Sequence, residues 1–311
     1  MDTSVPMHLR PPSTSASEDR MYPEDLKWYK TFDDIGKKIT GYGKAGDVYN
    51  DYGNGTPLFG HGPDFGYWYY GAIWYGDEIW NGGKNKDYNG DGTIDQYEVL
   101  RWDDEENGGD GFFEWKPFKH EVYGDIEIGG FDPKFFSQNP PAKFMEQWIG
   151  NEALFNLEMI KYLPELLWDN IDIKKTKSYK TDSADYQVKI SFKNVGKLPT
   201  ALKQAHLVKI VTNDRVVLDL DTTGTSKENS VFKLISEEKS PKGRDSRGGF
   251  SESDRPVQRG PYSVDVQDTQ GGGVTTAVFN IRLFKQTEIK GKVSVLSTRG
   301  GVLKDKEIII R

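Results

Sequence analysis

Cysteine is absent from the 311 residues. Disulfides and thiol catalysis are therefore excluded, and the absence is compatible with a secreted or periplasmic protein. Histidine is scarce, with only His8, His61, His120 and His206. No apolar run reaches the roughly 18 residues that would mark a membrane span. The first twenty residues carry no apolar core of a signal peptide; they are rich in Ser, Pro and Asp. A basic excess is missing as well. The net charge of −7 argues against a nucleic-acid partner and suits a soluble protein.

What is present is an ordinary share of charge, 29%, and a high share of aromatics, 13%. The length favours two domains. The most informative stretch runs from Asp64 to Trp80. Ile73, Trp74 and Tyr75 are bulky, β-favouring residues, and the spacing predicts a buried strand that resumes at Ile79 and Trp80. Two adjacent carboxylates, Asp77 and Glu78, sit inside it. Burying a charge costs several kcal/mol or more, so a carboxylate in an aromatic setting is either a working group with a shifted pKa or a strand cap facing water. Strand alternation would send the two to opposite faces.

Around that stretch the order of elements can be read. Residues 1–25 read as a loop or tail centred on Pro11-Pro12. A helix is expected from Tyr22, with Pro23 in its first turn, Glu24 and Asp25 complementing the dipole, and Gly41 as the stop. Residues 41–63 read as a long loop. Residues 87–98 match the twelve-residue calcium loop position by position. Asp87, Asn89 and Asp91 take places one, three and five, Gly92 the turn at six, Thr93 the carbonyl at seven, Asp95 place nine, and Glu98 the closing bidentate place. Asn81-Gly82-Gly83 stands where an entering helix would be, so a lone stabilising Ca²⁺ loop is expected, not a paired sensor. The aromatics of residues 98–130 read as core. A long amphipathic helix is expected over 139–168, with Phe144, Trp148, Leu154, Phe155, Met159 and Leu163 on its apolar face.

The character changes near residue 170. Short alternating segments follow, among them Tyr186–Phe192, Leu207–Ile210, Val216–Leu220, Val274–Leu283, Val293–Val295 and Ile308–Ile310, with no helix between them. Their pattern predicts an antiparallel β-sandwich over 178–311 without a catalytic constellation. The polar stretch 236–260 is expected to be mobile.

Several of these motifs together resemble the zinc carboxypeptidases of the carboxypeptidase A-like metallopeptidase family. Asp64-Phe65-x-Tyr67, Gly71-Ala72 and Glu78-Ile79-Trp80 follow that family's pattern, and Glu78 falls on its catalytic glutamate. Phe65 replaces the usual Trp, and Tyr75-Gly76-Asp77 replaces the usual Phe-Thr-x. Trp115-x-Pro117-Phe118-x-His120 and Ile126-Glu127-Ile128-Gly129-Gly130 match bacterial members, and Thr3-Ser4 with Leu9-Arg10-Pro11 fit the frame of a ligand motif. Asp2 then stands where the family has a zinc-ligating His. The resemblance implies an α/β fold for 1–170, the C-terminal portion of a mixed-sheet catalytic domain, followed by the sandwich. It implies Zn²⁺ as cofactor, peptide or protein C-termini as substrate, a secreted or periplasmic setting, and Tyr49 or Tyr52 as a substrate-binding tyrosine.

The family's His-x-x-Glu pair is not found after any of the four histidines. The chain is thus expected to hold the general-base glutamate without the zinc-binding half, to be inactive alone, and to lack an N-terminal segment. The alternative is a calcium-stabilised, non-catalytic pseudo-peptidase that docks peptides or glycans through its aromatic cleft.

Overall fold

The computed structural model describes residues 6–11, 21–52, 58, 60–221, 232–237, 262–284 and 288–311. The chain divides into two compact units, Met1–Ile160 and Lys161–Arg311. The first is mixed α/β, and the second is built from antiparallel sheets.

In the first unit β1 (Met7–Arg10) is the middle of a three-stranded sheet. It pairs in parallel with β2 (Lys44–Asp47) and antiparallel with β3 (Gly76–Glu78), which sets His8 opposite Asp77 and Met7 opposite Glu78. All four residues of β1 are buried, as a central strand covered on both faces must be. Residues 7–10 are therefore a strand, not tail. Helix α1 (Pro23–Thr40) starts with Pro at its first turn and stops at Gly41, whose φ of 75° is the left-handed conformation that glycine accepts. Tyr29 and Phe32 are its fully buried anchors.

The expected loop over 41–63 contains β2 and a π-helical turn, Val48–Tyr52. Asp47 builds that turn, since its Oδ1 accepts from the backbone N–H of Tyr49 and of Asn50, each at 2.8 Å. The expected strand over Ile73–Tyr75 does not form: strand structure begins at Gly76, and Trp74 is exposed. Upstream of it, the helical turn α2 (Gly62–Asp64) leads into a second π-helical turn, Phe65–Tyr69. Aromatic content alone favoured a strand there, but the bare backbone of Gly66 lets the Trp74 side chain lie against the turn: a Cβ at 66 would meet Trp74 Cβ at 2.2 Å.

Helix α3 (Gln96–Trp102) and a third π-helical turn, Asp103–Asn107, precede the hairpin β4 (Phe112–His120) and β5 (Gly124–Phe131). Trp80, Val99, Trp102 and Phe136 form a buried cluster, so part of the aromatic set of 98–130 is core. The hairpin is not. Phe113, Trp115, Phe118, Val122, Tyr123 and Ile128 are exposed, because two strands alone offer no second layer to pack against. Helix α4 is shorter than the periodicity suggests, Ala142–Ile160, and Leu154 and Leu163 are exposed.

In the second unit, β6 (Leu166–Ser178), β7 (Ser183–Asn194), β8 (Asp214–Leu220), β9 (Phe232–Glu237), β10 (Tyr262–Val266), β11 (Val274–Phe284), β12 (Ile289–Ser297) and β13 (Gly301–Ile310) form two four-stranded antiparallel sheets. Their orders are β10-β8-β12-β13 and β6-β7-β11-β9. One apolar core draws on both, with Val188, Ile190, Phe192, Phe279 and Ile281 from one sheet and Val216, Leu218, Val293, Val295 and Ile310 from the other. The strict alternation along β7 places every second side chain in that core. Strand structure begins at residue 166, ahead of 178, and the expected strand at Leu207–Ile210 does not form: Leu207 ends a 3₁₀ turn, Gln204–Leu207, and residues 208–210 continue as bend and turn. Most of 236–260 lies outside the described residues.

Phe279 is fully buried in this core. Phe279→Ala is expected to cost about 3–5 kcal/mol, from lost burial and the cavity left behind. Urea unfolding of the full chain followed by circular dichroism measures it.

Candidate active site and its neighbouring carboxylates

Strand β3 sorts two neighbouring carboxylates to different partners. Glu78 is 9% exposed, and the Tyr52 hydroxyl donates to its Oε1 at 3.1 Å. Tyr52 reaches it from the end of the turn that Asp47 organises. Gly46 makes room for that turn, since a Cβ there would meet Asp51 Oδ2 at 2.3 Å, and Asp51 Oδ2 accepts from the Asp47 N–H at 2.7 Å. Tyr49, the other candidate tyrosine, is buried at 4% exposure. Asp2 lies outside the described residues.

Asp77 turns to the other face. Its Oδ1 lies 2.6 Å from His8 Nδ1, and His8 is fully buried. The imidazole stacks on Tyr42 at 4.8 Å between ring centroids and touches Phe155 at 4.5 Å. Gly36 of α1 gives the ring its seat, because a Cβ there would stand 2.8 Å from His8 Nε2 and Cδ2. On the same strand, the Arg10 Nε donates to Asp33 at 3.0 Å, and the Tyr75 hydroxyl donates to the other oxygen of Asp33 at 2.8 Å. Burial pushes the Asp33 carboxyl up, against the opposing pull of Arg10.

Glu152 on α4 completes the group. His8, Asp77 and Glu152 offer ligand atoms that all lie within 4.8 Å of one another. Among the described residues no other set of three metal-ligating side chains converges this closely. Glu152 is 9% exposed, and neither of its oxygens has a hydrogen-bond partner of ordinary geometry, although Tyr42 and Asp77 stand near enough to act on its ionisation. Burial first, and then the charge of Asp77, push its carboxyl up to about 7. The sequence carries a signal for this residue: Glu152 stands between Trp148 and Phe155, a carboxylate on the apolar stripe of its helix.

The calcium-motif residues occupy a loop closed by α3. Asp87 accepts from the N–H groups of Gly90 and Gly92 at 2.6 and 2.9 Å, Asn89 from Asp91 N–H at 2.8 Å, and Asp91 from Thr93 N–H at 2.8 Å. Gly92 has φ 86°, which its turn requires of a glycine. Asp95 caps α3 through a capping box with Glu98, whose Oε1 also accepts from the N–H groups of Tyr88 and Asn89. The hydrogen bonds from Thr93 hold the Asp91 carboxyl below its usual range. Ile94 packs against the Trp80–Trp102 cluster. No helix enters the loop from the N-terminal side.

The remaining histidines have local partners of their own. His61 Nδ1 lies 3.3 Å from Asp64, His120 accepts from the backbone of its own hairpin turn, and His206 pairs with Asp268 at 3.2 Å. Residues 170–306 match the model of a family described as a domain of unknown function (DUF8731). No curated protein matches the chain.

The buried Glu152 predicts a pH effect of definite sign. Its native pKa, about 7, lies above the ordinary 4.5, so the folded chain holds a proton that the unfolded chain releases. That contribution is favourable below about 4.5 and is lost as pH rises through about 7. In chelator, Glu152→Gln is expected to unfold at higher urea than the parent at pH 8, with the difference shrinking toward pH 5. Paired urea melts at both pH values check this.

Proposed function

We propose that this chain contributes the proton-transferring glutamate of a metallocarboxypeptidase-type site, with Glu78 as general base and Tyr52 as the group that orients it. The observation that supports the reading is the placement of Glu78. It is a buried carboxylate at the end of β3, held by a tyrosine hydroxyl and paired in register with β1, the strand that carries the Leu9-Arg10-Pro11 frame. A buried carboxylate within reach of a hydroxyl can take and return a proton, which typically contributes about 10²–10⁴-fold to a rate.

Zinc is the metal that the resemblance implies, and the residues present do not fit it beside Glu78. The zinc site that the resemblance implies takes two histidines and a carboxylate, and no such set converges among the described residues. The reading therefore assigns no step to zinc on this chain. Peptide C-termini, the sandwich arrangement of the second unit as a folding or anchoring appendage, and a secreted or periplasmic setting belong to the same proposal. A partner segment bearing His-x-x-Glu is part of it as well, and the apolar face of β4–β5 is the kind of surface that asks for cover.

A second reading, a non-catalytic module that binds glycans or peptides, is favoured by one observation. Phe65, Tyr69, Tyr70 and Trp74 form an exposed aromatic group, with Phe65 stacked on Tyr69 at 5.2 Å. Such faces take flat apolar ligand surfaces.

The two readings part in one experiment. The DNA immediately upstream is sequenced, and any in-frame segment with His-x-x-Glu is produced together with this chain. The first reading expects release of C-terminal residues from peptides, reduced at least about 10²-fold by Glu78→Gln. No such segment, or full activity in the Glu78→Gln variant, overturns it. Independently, excess Ca²⁺ is expected to raise the melting temperature of the full chain, by about 2.7 kcal/mol of stability at a hundred times Kd. Asp87→Ala is expected to remove the shift, and a parent chain that does not respond to Ca²⁺ removes the calcium assignment.

A further inference from the structure

We propose that His8, Asp77 and Glu152 form a binding site for a divalent first-row transition-metal ion, separate from Glu78 and from the calcium loop. The site ties β1, β3 and α4 together.

Three observations carry it. The donors are one imidazole nitrogen and two carboxylates, each from a different element, within 4.8 Å of one another. Glu152 is nine-tenths buried and aimed into the group, yet its oxygens have no hydrogen-bond partner of ordinary geometry. An unpaired buried carboxylate is costly, and a cation removes that cost.

The third observation is the orientation of the imidazole. The Thr40 hydroxyl spends its only hydrogen on the carbonyl of Gly36, at 2.9 Å. It must then accept from His8, so the Nε2–H donates to Thr40 at 3.0 Å. The lone pair of the neutral ring is thereby fixed on Nδ1, the nitrogen that faces Asp77 at 2.6 Å. A ligating histidine is ordinarily held in this way, by a hydrogen bond from its other nitrogen.

Charge and chemistry set the class of ion. Two carboxylates face one imidazole, and the nearest guanidinium on the strand, Arg10, is committed to Asp33. A double positive charge balances the pair. The imidazole nitrogen favours zinc, copper, iron, cobalt or nickel over calcium, magnesium and manganese, which are better suited to oxygen donors. Tyr42, Phe155 and the stem of α1 wall the site, so the role is structural cross-linking.

The test uses the full chain, stripped with chelator and held in excess Ca²⁺ so that the loop is saturated. Co²⁺ is titrated in, and its visible absorption and the stoichiometry are read. One equivalent is expected, displaced by Zn²⁺ and accompanied by a rise in melting temperature. Glu152→Gln and Asp77→Asn are each expected to weaken binding by about 10-fold or more. Glu78→Gln and Asp91→Ala are expected to leave it unchanged. Glu152→Gln keeps the shape and removes an unpaired charge, so it serves as a folded control, with circular dichroism to show it. Failure of the parent to bind Co²⁺ overturns the proposal. So does equal binding by folded Glu152→Gln, or loss of binding in Glu78→Gln or Asp91→Ala.

Discussion

Two neighbouring carboxylates cannot share one pocket at neutral pH without mutual repulsion, and the first unit is arranged around that constraint. The pleat of β3 separates them. Asp77 meets an imidazole across the antiparallel pairing with β1, and Glu78 meets a phenol from the turn that follows β2. Because β1 is the middle strand, its register decides both encounters at once. A slip of one residue would exchange the faces and leave both carboxylates without these partners. The helices follow from the same requirement. Helix α1 brings Gly36 and Thr40 to the imidazole and Asp33 to Arg10, and α4 brings Phe155 and Glu152.

The second unit is held by different means. Its stability comes from apolar alternation in two sheets that share one core. Its buried polar groups are satisfied among themselves: Thr200 donates to Asp214 at 2.7 Å, and Thr269 donates to the same oxygen at 3.2 Å.

Sequence reasoning succeeded where one physical signal dominated. Helix α1 was legible from Pro23 and Gly41, and β7 and β11 from strict alternation. The separation of Asp77 from Glu78 followed from the period of a strand. It failed where tertiary contacts overruled local preference. Met7–Arg10 is too short to show a period, and becomes a strand only because two distant segments flank it. Ile73–Tyr75 has strand-like composition, but the approach of Trp74 to Gly66 takes it elsewhere. The hairpin aromatics looked like core because hydrophobicity does not say whether a covering layer exists. Glu152 could have been found from its position on an apolar stripe, whereas its convergence with His8 could not.

The dispersal of the buried group along the chain bears on how the first unit assembles. His8, Asp77 and Glu152 belong to the beginning, the middle and the end of that unit. Closing such long loops has to be completed before any of their contacts offers a return. The β4–β5 hairpin and the capped α3, by contrast, are local and can form early. The imidazole and its carboxylates would then be among the last groups to meet, and their burial would mark the end of folding, not its beginning.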